Sequence, residues 1–200
     1  MQQITQIFEI SNEVKKSKFI AFLTPFSEFD ALLSRLKNEH PKAAHIVWAY
    51  RILNEFNQIV ENQSDDGEPK GTSGTPCLNA LRGAELINTA VLVVRYFGGI
   101  KLGTGGLVRA YGGSVNLAIN SAILTPFEFK KSCEFFVPFS LISKFEHFFS
   151  KQNLKFNAEF NANGANFIGE ITKNEFENLN EFIQNLQNES VKFSEIPNFS

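Results

Sequence analysis

Two glycine-bearing loops hold the residue types able to do chemistry. The first reads Asp65-Asp66-Gly67-Glu68-Pro69-Lys70 and continues as Gly71-Thr72-Ser73-Gly74-Thr75-Pro76. The second runs from Tyr96 to Gly106 as YFGGIKLGTGG. Each leads into a helical pattern, and a helix start offers unpaired N–H groups and a partial positive charge suited to a phosphate or carboxylate. A phosphate site would draw on the amides of Gly71, Thr72, Ser73 and Thr75 and of Gly103, Thr104, Gly105 and Gly106. Lys70, Arg95, Lys101 and Arg109 would surround it. The alternative use of the same loops is to turn tightly and cap helices.

Asp65, Asp66 and Glu68 form a candidate acidic site. One use for them is to hold Mg²⁺, which favours carboxylates, waters and a bridging phosphate, but turn capping is the commoner use of such aspartates, so no cofactor or metal is assigned. His45, two strands earlier, joins this set as a general base, or serves as a hydrogen-bonded structural histidine. Arg95 either helps to hold a phosphate or pairs with Asp65 or Asp66 to tie the loops together. Ser73 and Thr75 supply hydroxyls without a Ser-His-Asp order, and Cys77 belongs inside a helix, so no residue is assigned as catalytic. Gly98 and Gly103 have Walker spacing, but Thr104 stands where lysine is required, and Gly103-Thr104-Gly105 lacks the third glycine of a dinucleotide fingerprint.

The elements that must position these groups belong to a 200-residue chain with 43% apolar residues and 22 phenylalanines, enough for a sizeable core in one or two domains. A net charge of -2 and a pI near 6.0 argue against a nonspecific nucleic-acid coat, while leaving room for a local basic patch. Cys77 and Cys133 are too few and too far apart for a disulfide framework or zinc motif, which points to a reducing cytosol. The N-terminus lacks the features of a signal peptide, and no run is long enough to span a membrane, so a cytoplasmic location is expected.

In chain order, Gln6 to Val14 and Lys18 to Leu23 alternate as strands, with Ser17 and Lys18 between them. Ser27 to Asp30 reads as the cap of a helix carrying Phe29, Leu32, Leu33 and Leu36. Ala44 to Leu53 and Asn57 to Gln63 read as a hairpin turning at Asn54-Glu55-Phe56. Thr75 is expected to cap a short helix with Pro76 at its first position. The unbroken apolar run Thr89 to Val94 predicts a central strand covered on both faces. Leu107, Tyr111, Val115, Ala118 and Ala122 predict the following helix. Its glycine pairs, Gly105-Gly106 and Gly112-Gly113, predict close approach by a backbone or ligand.

Every arginine precedes Thr125-Pro126, which places a boundary there between residues 1–125 and 127–200. The second half predicts a strand at Ser132 to Val137 and a helix capped by Ser140. A strand at Leu154 to Phe160, a turn at NANGAN and a strand at Phe167 to Ile171 follow. A helix with a capping box at Asn174 to Glu177 and a strand at Val191 to Ile196 complete it. The order β-α-β-β-α-β is the ferredoxin-like plan. This half holds no glycine loop or titratable cluster, and its phenylalanines read as core.

The joined motifs DDGEP, GTSGTP, RYFGG and KLGTGGLVRAY, preceded by Ser17-Lys18-Phe19-Ile20 and Ala44-His45, resemble the IMPACT/YigZ family. The resemblance implies an α+β chain of two domains. The first would be similar to ribosomal protein S5 domain 2 and to domain IV of a translocation GTPase, and the second ferredoxin-like. It also implies a link to regulation of translation, because eukaryotic members look like regulators of initiation that act through an additional N-terminal domain. This chain begins directly with the shared domain, so their protein partner is not carried over and the protein partner stays unknown. The favoured expectation is therefore a translation-associated regulator that binds RNA or the ribosome through the glycine- and arginine-bearing face of the first domain. The alternative is an enzyme acting on a phosphorylated small molecule, with DDGEP as the acid-base or metal group and the second loop as phosphate cradle.

Overall fold

The apolar run of the central strand is explained by its surroundings: β-branched residues there meet helices on both sides. The computed structural model describes residues 1–186 and 190–199 and divides into two compact units, Met1–Phe127 and Glu128–Ser200. The first contains β1 (Gln2–Gln3), β2 (Phe8–Val14), β3 (Ser17–Pro25), α1 (Phe29–Glu39), β4 (His45–Leu53), β5 (Ile59–Ser64), α2 (Gly74–Gly83), β6 (Thr89–Tyr96), α3 (Thr104–Ser121) and β7 (Thr125–Pro126). Five of these strands form an antiparallel sheet in the order β2-β3-β6-β4-β5. On β6, Val91 and Val93 pack with Leu81, Leu107, Tyr111 and Val115 of α2 and α3, whereas Ala90, Leu92 and Val94 pack with Phe29, Leu32 and Leu36 of α1. Burial of one such aliphatic side chain contributes roughly 1.5–3 kcal/mol, so both layers are held mainly through this strand.

The β2–β3 turn lies at Lys15-Lys16, and Ser17 and Lys18 belong to β3, paired with Val14 and Glu13. Both lysines have positive φ, 47° and 66°. A two-residue hairpin loop requires that conformation but usually takes it with Asn-Gly, which is why the sequence pattern misplaces this turn. Thr125 and Pro126 pair with Gln3 and Gln2, so the expected boundary residues close the first unit as a two-stranded ribbon. Of the two glycine pairs on α3, only Gly112 meets α2: a Cβ there would lie 3.7 Å from the Cβ of Pro76, whereas Gly113 faces open space.

The second unit contains β8 (Lys130–Pro138), α4 (Ile142–Gln152), β9 (Phe156–Phe160), β10 (Gly164–Thr172), α5 (Lys173–Asn185) and β11 (Lys192–Glu195). Its antiparallel sheet has the order β11-β8-β10-β9. Phe135 sits at the centre of the core, with the rings of Phe145, Phe149, Phe156, Phe167 and Phe193 around it at centroid distances between 5.3 and 6.3 Å. The capping box is Thr172 with Glu175, each side chain bonded to the other's backbone N–H, rather than one beginning at Asn174. Ser140 lies within a short 3₁₀ turn and does not cap α4. Among the described residues no helix is long and apolar enough to cross a membrane.

Candidate functional site

β5 ends at Ser64, and the carboxylate of Asp65 turns directly onto the start of α2. One oxygen accepts from the Gly71 N–H at 2.7 Å; the other accepts from the Ser73 N–H at 3.1 Å, the Ser73 hydroxyl at 2.7 Å and the Gly74 N–H at 2.8 Å. Partial burial pushes this carboxyl up, but the bonds from Gly71, Ser73 and Gly74 outweigh it and hold it below the ordinary aspartate value. The helix start predicted to receive a phosphate at Gly71 to Thr75 is thus filled by the protein's own anion. Ser73 occupies the cap position that the sequence pattern assigns to Thr75, and the Thr75 hydroxyl instead accepts from the Gln63 amide at 3.2 Å. The Thr72 hydroxyl donates to the Pro69 carbonyl at 2.7 Å, and Lys70 is exposed on the outside of this loop.

Asp66 binds the loop to β4. Its carboxylate accepts from the Ile46 N–H at 2.6 Å, and its carbonyl lies 2.7 Å from His45 Nδ1. A carbonyl only accepts, so Nδ1 carries the proton and Nε2 is directed the other way, 3.8 Å from Glu68 Oε2. Glu68 alone of the three carboxylates points inward. Its Oε1 accepts from the Arg95 guanidinium and from the Tyr111 hydroxyl at 2.8 Å. Arg95 therefore pairs with Glu68 and with neither Asp65 nor Asp66. Burial, followed by the bond to Glu68, holds the Tyr111 phenol well above its ordinary value. Arg95 stands on β6 in register with Phe19 of β3 and His45 of β4. Its guanidinium lies 5.7 Å from the Phe19 ring centroid and 5.8 Å from that of Phe97; the residue is 6% exposed, and its Nε has no hydrogen-bond partner.

With Asp65 on α2, Asp66 on β4 and Glu68 on Arg95, the acidic loop does not converge on one point. Among the described residues no group of three or more His, Cys, Asp or Glu is placed to hold a metal ion, and the alternative Mg²⁺ arrangement of Asp65, Asp66 and Glu68 is not formed. Cys77 is fully buried and its thiol is pushed up by burial, in keeping with a packing role.

The second loop behaves differently. Gly103 caps α3 with φ 71°, and among the described residues no side chain bonds to the helix start. This start opens into a cavity of about 480 Å³ whose lining includes His45, Glu68, Arg95, Lys101, Gly103 and Thr104. Ala44, Pro69, Phe97, Leu102 and Leu107 supply its apolar wall. Six of the predicted site residues thus converge. Gly105 lies in the first turn of α3, while Gly106 and Arg109 line a neighbouring cavity of about 300 Å³. Sequence reasoning passed over Phe97 and Tyr111. The signal available for Phe97 was an aromatic residue between a strand and Gly98-Gly99, where it has no core to join and is 52% exposed.

The remaining arginines do not make a continuous basic face. Arg51 and Arg82 both bind Glu61, and Arg35 lies 3.8 Å from Glu39. The hydrogen bond from Arg82 leads the effects on Glu61; burial opposes it and the bond from Arg51 adds to it, and the carboxyl falls from 4.5 to about 2. A depressed carboxyl stabilises the fold above its ordinary value and loses that contribution as pH falls through the depressed one. Glu61→Gln is therefore expected to cost on the order of 1–2 kcal/mol at neutral pH after allowing for solvent screening at Arg82. The difference from wild type should vanish as pH falls from about 4.5 to about 2. Unfolding followed through Trp48, the single tryptophan, measures it.

The family model for the Impact N-terminal domain matches residues 15–119, which include both loops and the cavity. An IMPACT family member of Haemophilus influenzae is 46% identical over 116 residues, covering 56% of this chain and 55% of that protein, so the chain spans about half of that relative's length. One from Thermus thermophilus is 38% identical over 157 residues, covering 77% of this chain and 83% of its own. A crystal structure of a hypothetical protein aligns over 98% of this chain and 96% of its own at 28% identity, with a TM-score of 0.69. The two-domain translational regulator Yih1 aligns over 56% of this chain and 44% of its own at 25% identity, with a TM-score of 0.37. The matched span carries the acidic loop, the glycine loop and the strand between them, and the chain belongs to the IMPACT family.

Proposed function

We propose that this is a cytosolic, translation-associated protein whose N-terminal unit binds RNA or the ribosome by taking one phosphorylated nucleotide into the cavity at the start of α3. One observation carries the reading. The uncapped start of α3 faces the same cavity as Lys101 and the buried Arg95 with its unpartnered Nε, and Phe97 stands exposed at the rim. Free amides and a lysine suit a phosphate, and an exposed aromatic ring suits a base turned out of a single strand. We assign the first unit to the S5 domain 2-like fold and the second to the ferredoxin-like fold, for which its strand order β11-β8-β10-β9 is the support. In that second sheet Glu134, Glu159, Glu170 and Glu195 share the face opposite the core with Lys130 and Lys192, a surface of mixed charge. We assign RNA recognition to the first unit because the cavity with Lys101, Arg95 and Phe97 lies there.

Lys101→Glu is expected to weaken binding of a labelled single-stranded RNA at least about tenfold and to reduce ribosome co-sedimentation. For the wild type, the log of affinity should fall with log salt by about 0.7 per phosphate contact. Salt-insensitive binding unaffected by the substitution would contradict the reading. A second reading, an enzyme acting on a phosphorylated small molecule, is favoured by one feature: His45 Nε2 and Glu68 Oε2, 3.8 Å apart on the cavity wall. Release of inorganic phosphate from a nucleoside monophosphate, lost in a folded Glu68→Gln variant, would move the assignment to that reading.

A further inference from the structure

We propose that the Lys15-Lys16 turn and Arg109 form a second phosphate subsite, which holds the neighbouring phosphodiester of a single-stranded RNA whose nucleotide occupies the cavity at α3; this rests on the RNA reading above. Its first support is the distribution of charge. Arg35, Arg51, Arg82 and Arg95 each have a carboxylate within 4.0 Å, whereas Arg109 has none among the described residues, and neither has any lysine there. Arg109, in the second turn of α3, is thus the one arginine among the described residues without a carboxylate.

Position is the second support. Lys15 and Arg109 line one cavity of about 300 Å³ together with Gly106 and Leu102. Leu102 also lines the cavity that contains Lys101 and Arg95. Leu102 therefore belongs to the walls of both spaces, which are neighbours.

Backbone conformation is the third. Lysine at two successive positive-φ positions is held against its preference, and the clamp is visible. Gly98 of the second loop donates its N–H to the Ser17 hydroxyl at 3.2 Å, and a Cβ on Gly98 would fall 2.0 Å from the backbone carbonyl of Lys16. The loop that leads to the α3 start thus also fixes the lysine turn. Asn-Gly would relieve the strain but would remove both charges.

The test uses the full chain, a labelled ten-nucleotide single-stranded RNA and a nucleoside monophosphate. Lys15→Asn/Lys16→Gly should melt higher than wild type through Trp48 fluorescence and keep its affinity for the monophosphate. It should lose about tenfold in affinity for the RNA, with a salt slope smaller by about 0.7, the contribution of one phosphate contact. Lys15→Arg/Lys16→Arg, which keeps the charge, should bind the RNA as wild type does. An unchanged RNA affinity and slope in the Asn-Gly variant, beside weakened binding by Lys101→Glu, would overturn the second subsite alone. Absence of RNA binding by the wild type would overturn both it and the function on which it rests.

Discussion

Glu68→Ala is expected to destabilise the N-terminal unit by about 3–5 kcal/mol, the cost of leaving one half of a buried ion pair behind. Arg95 would remain between Phe19 and Phe97 with its guanidinium deprived of the one carboxylate that reaches it among the described residues, and the Tyr111 hydroxyl would lose its acceptor. Because β6 joins both layers of this unit, the loss should appear as a lower midpoint of the whole Trp48-reported transition rather than as local loosening. Glu68→Gln, which retains an acceptor, should cost less, about 1–3 kcal/mol. Denaturant unfolding of the two variants measures this, and a Glu68→Ala midpoint equal to wild type would contradict the pairing. Arg95→Met combined with Glu68→Leu should recover much of the loss, since removing both buried charges leaves neither unpaired.

The second large effect is expected at Asp65. Asp65→Ala removes the acceptor of three backbone N–H groups and one hydroxyl at the start of α2, at an expected cost of about 3–4 kcal/mol. Asp65→Asn keeps one acceptor oxygen and should lose about half as much. If the acidic loop instead existed to hold a ligand, the Ala substitution would leave thermal unfolding unchanged and alter binding alone. The wild type should also lose stability as pH falls below the ordinary aspartate range, because the folded carboxyl is held below its unfolded value.

The parts of this fold that were legible in the sequence are those where one local pattern has one physical solution. Thr89 to Val94 allows little but a strand covered on both faces, and the phenylalanine spacing of the second half allows little but helices on one side of a sheet. The turn at Lys15-Lys16 was illegible because Gly98, far along the chain, imposes it. Asp65 was illegible as a cap because it reaches α2 from eight residues upstream of Ser73, outside any local capping pattern. Which of three neighbouring carboxylates turns inward depends on the register that sets His45, Arg95 and Phe19 side by side, and loop composition carries no trace of it. The glycines divide in the same way: Gly103 opens the start of α3, whereas Gly98 and Gly112 make room for neighbouring chain.

The central claim is that the start of α3 takes a phosphate while the start of α2 does not. A crystal structure of the protein with a 5′-phosphorylated single-stranded trinucleotide tests it most directly. The expected result is a phosphate against the amides following Gly103 and the Lys101 ammonium, a base against Phe97, and Asp65 still on the amides of Gly71, Ser73 and Gly74. A trinucleotide bound elsewhere with the α3 start empty, or a phosphate displacing Asp65 from α2, would contradict the account.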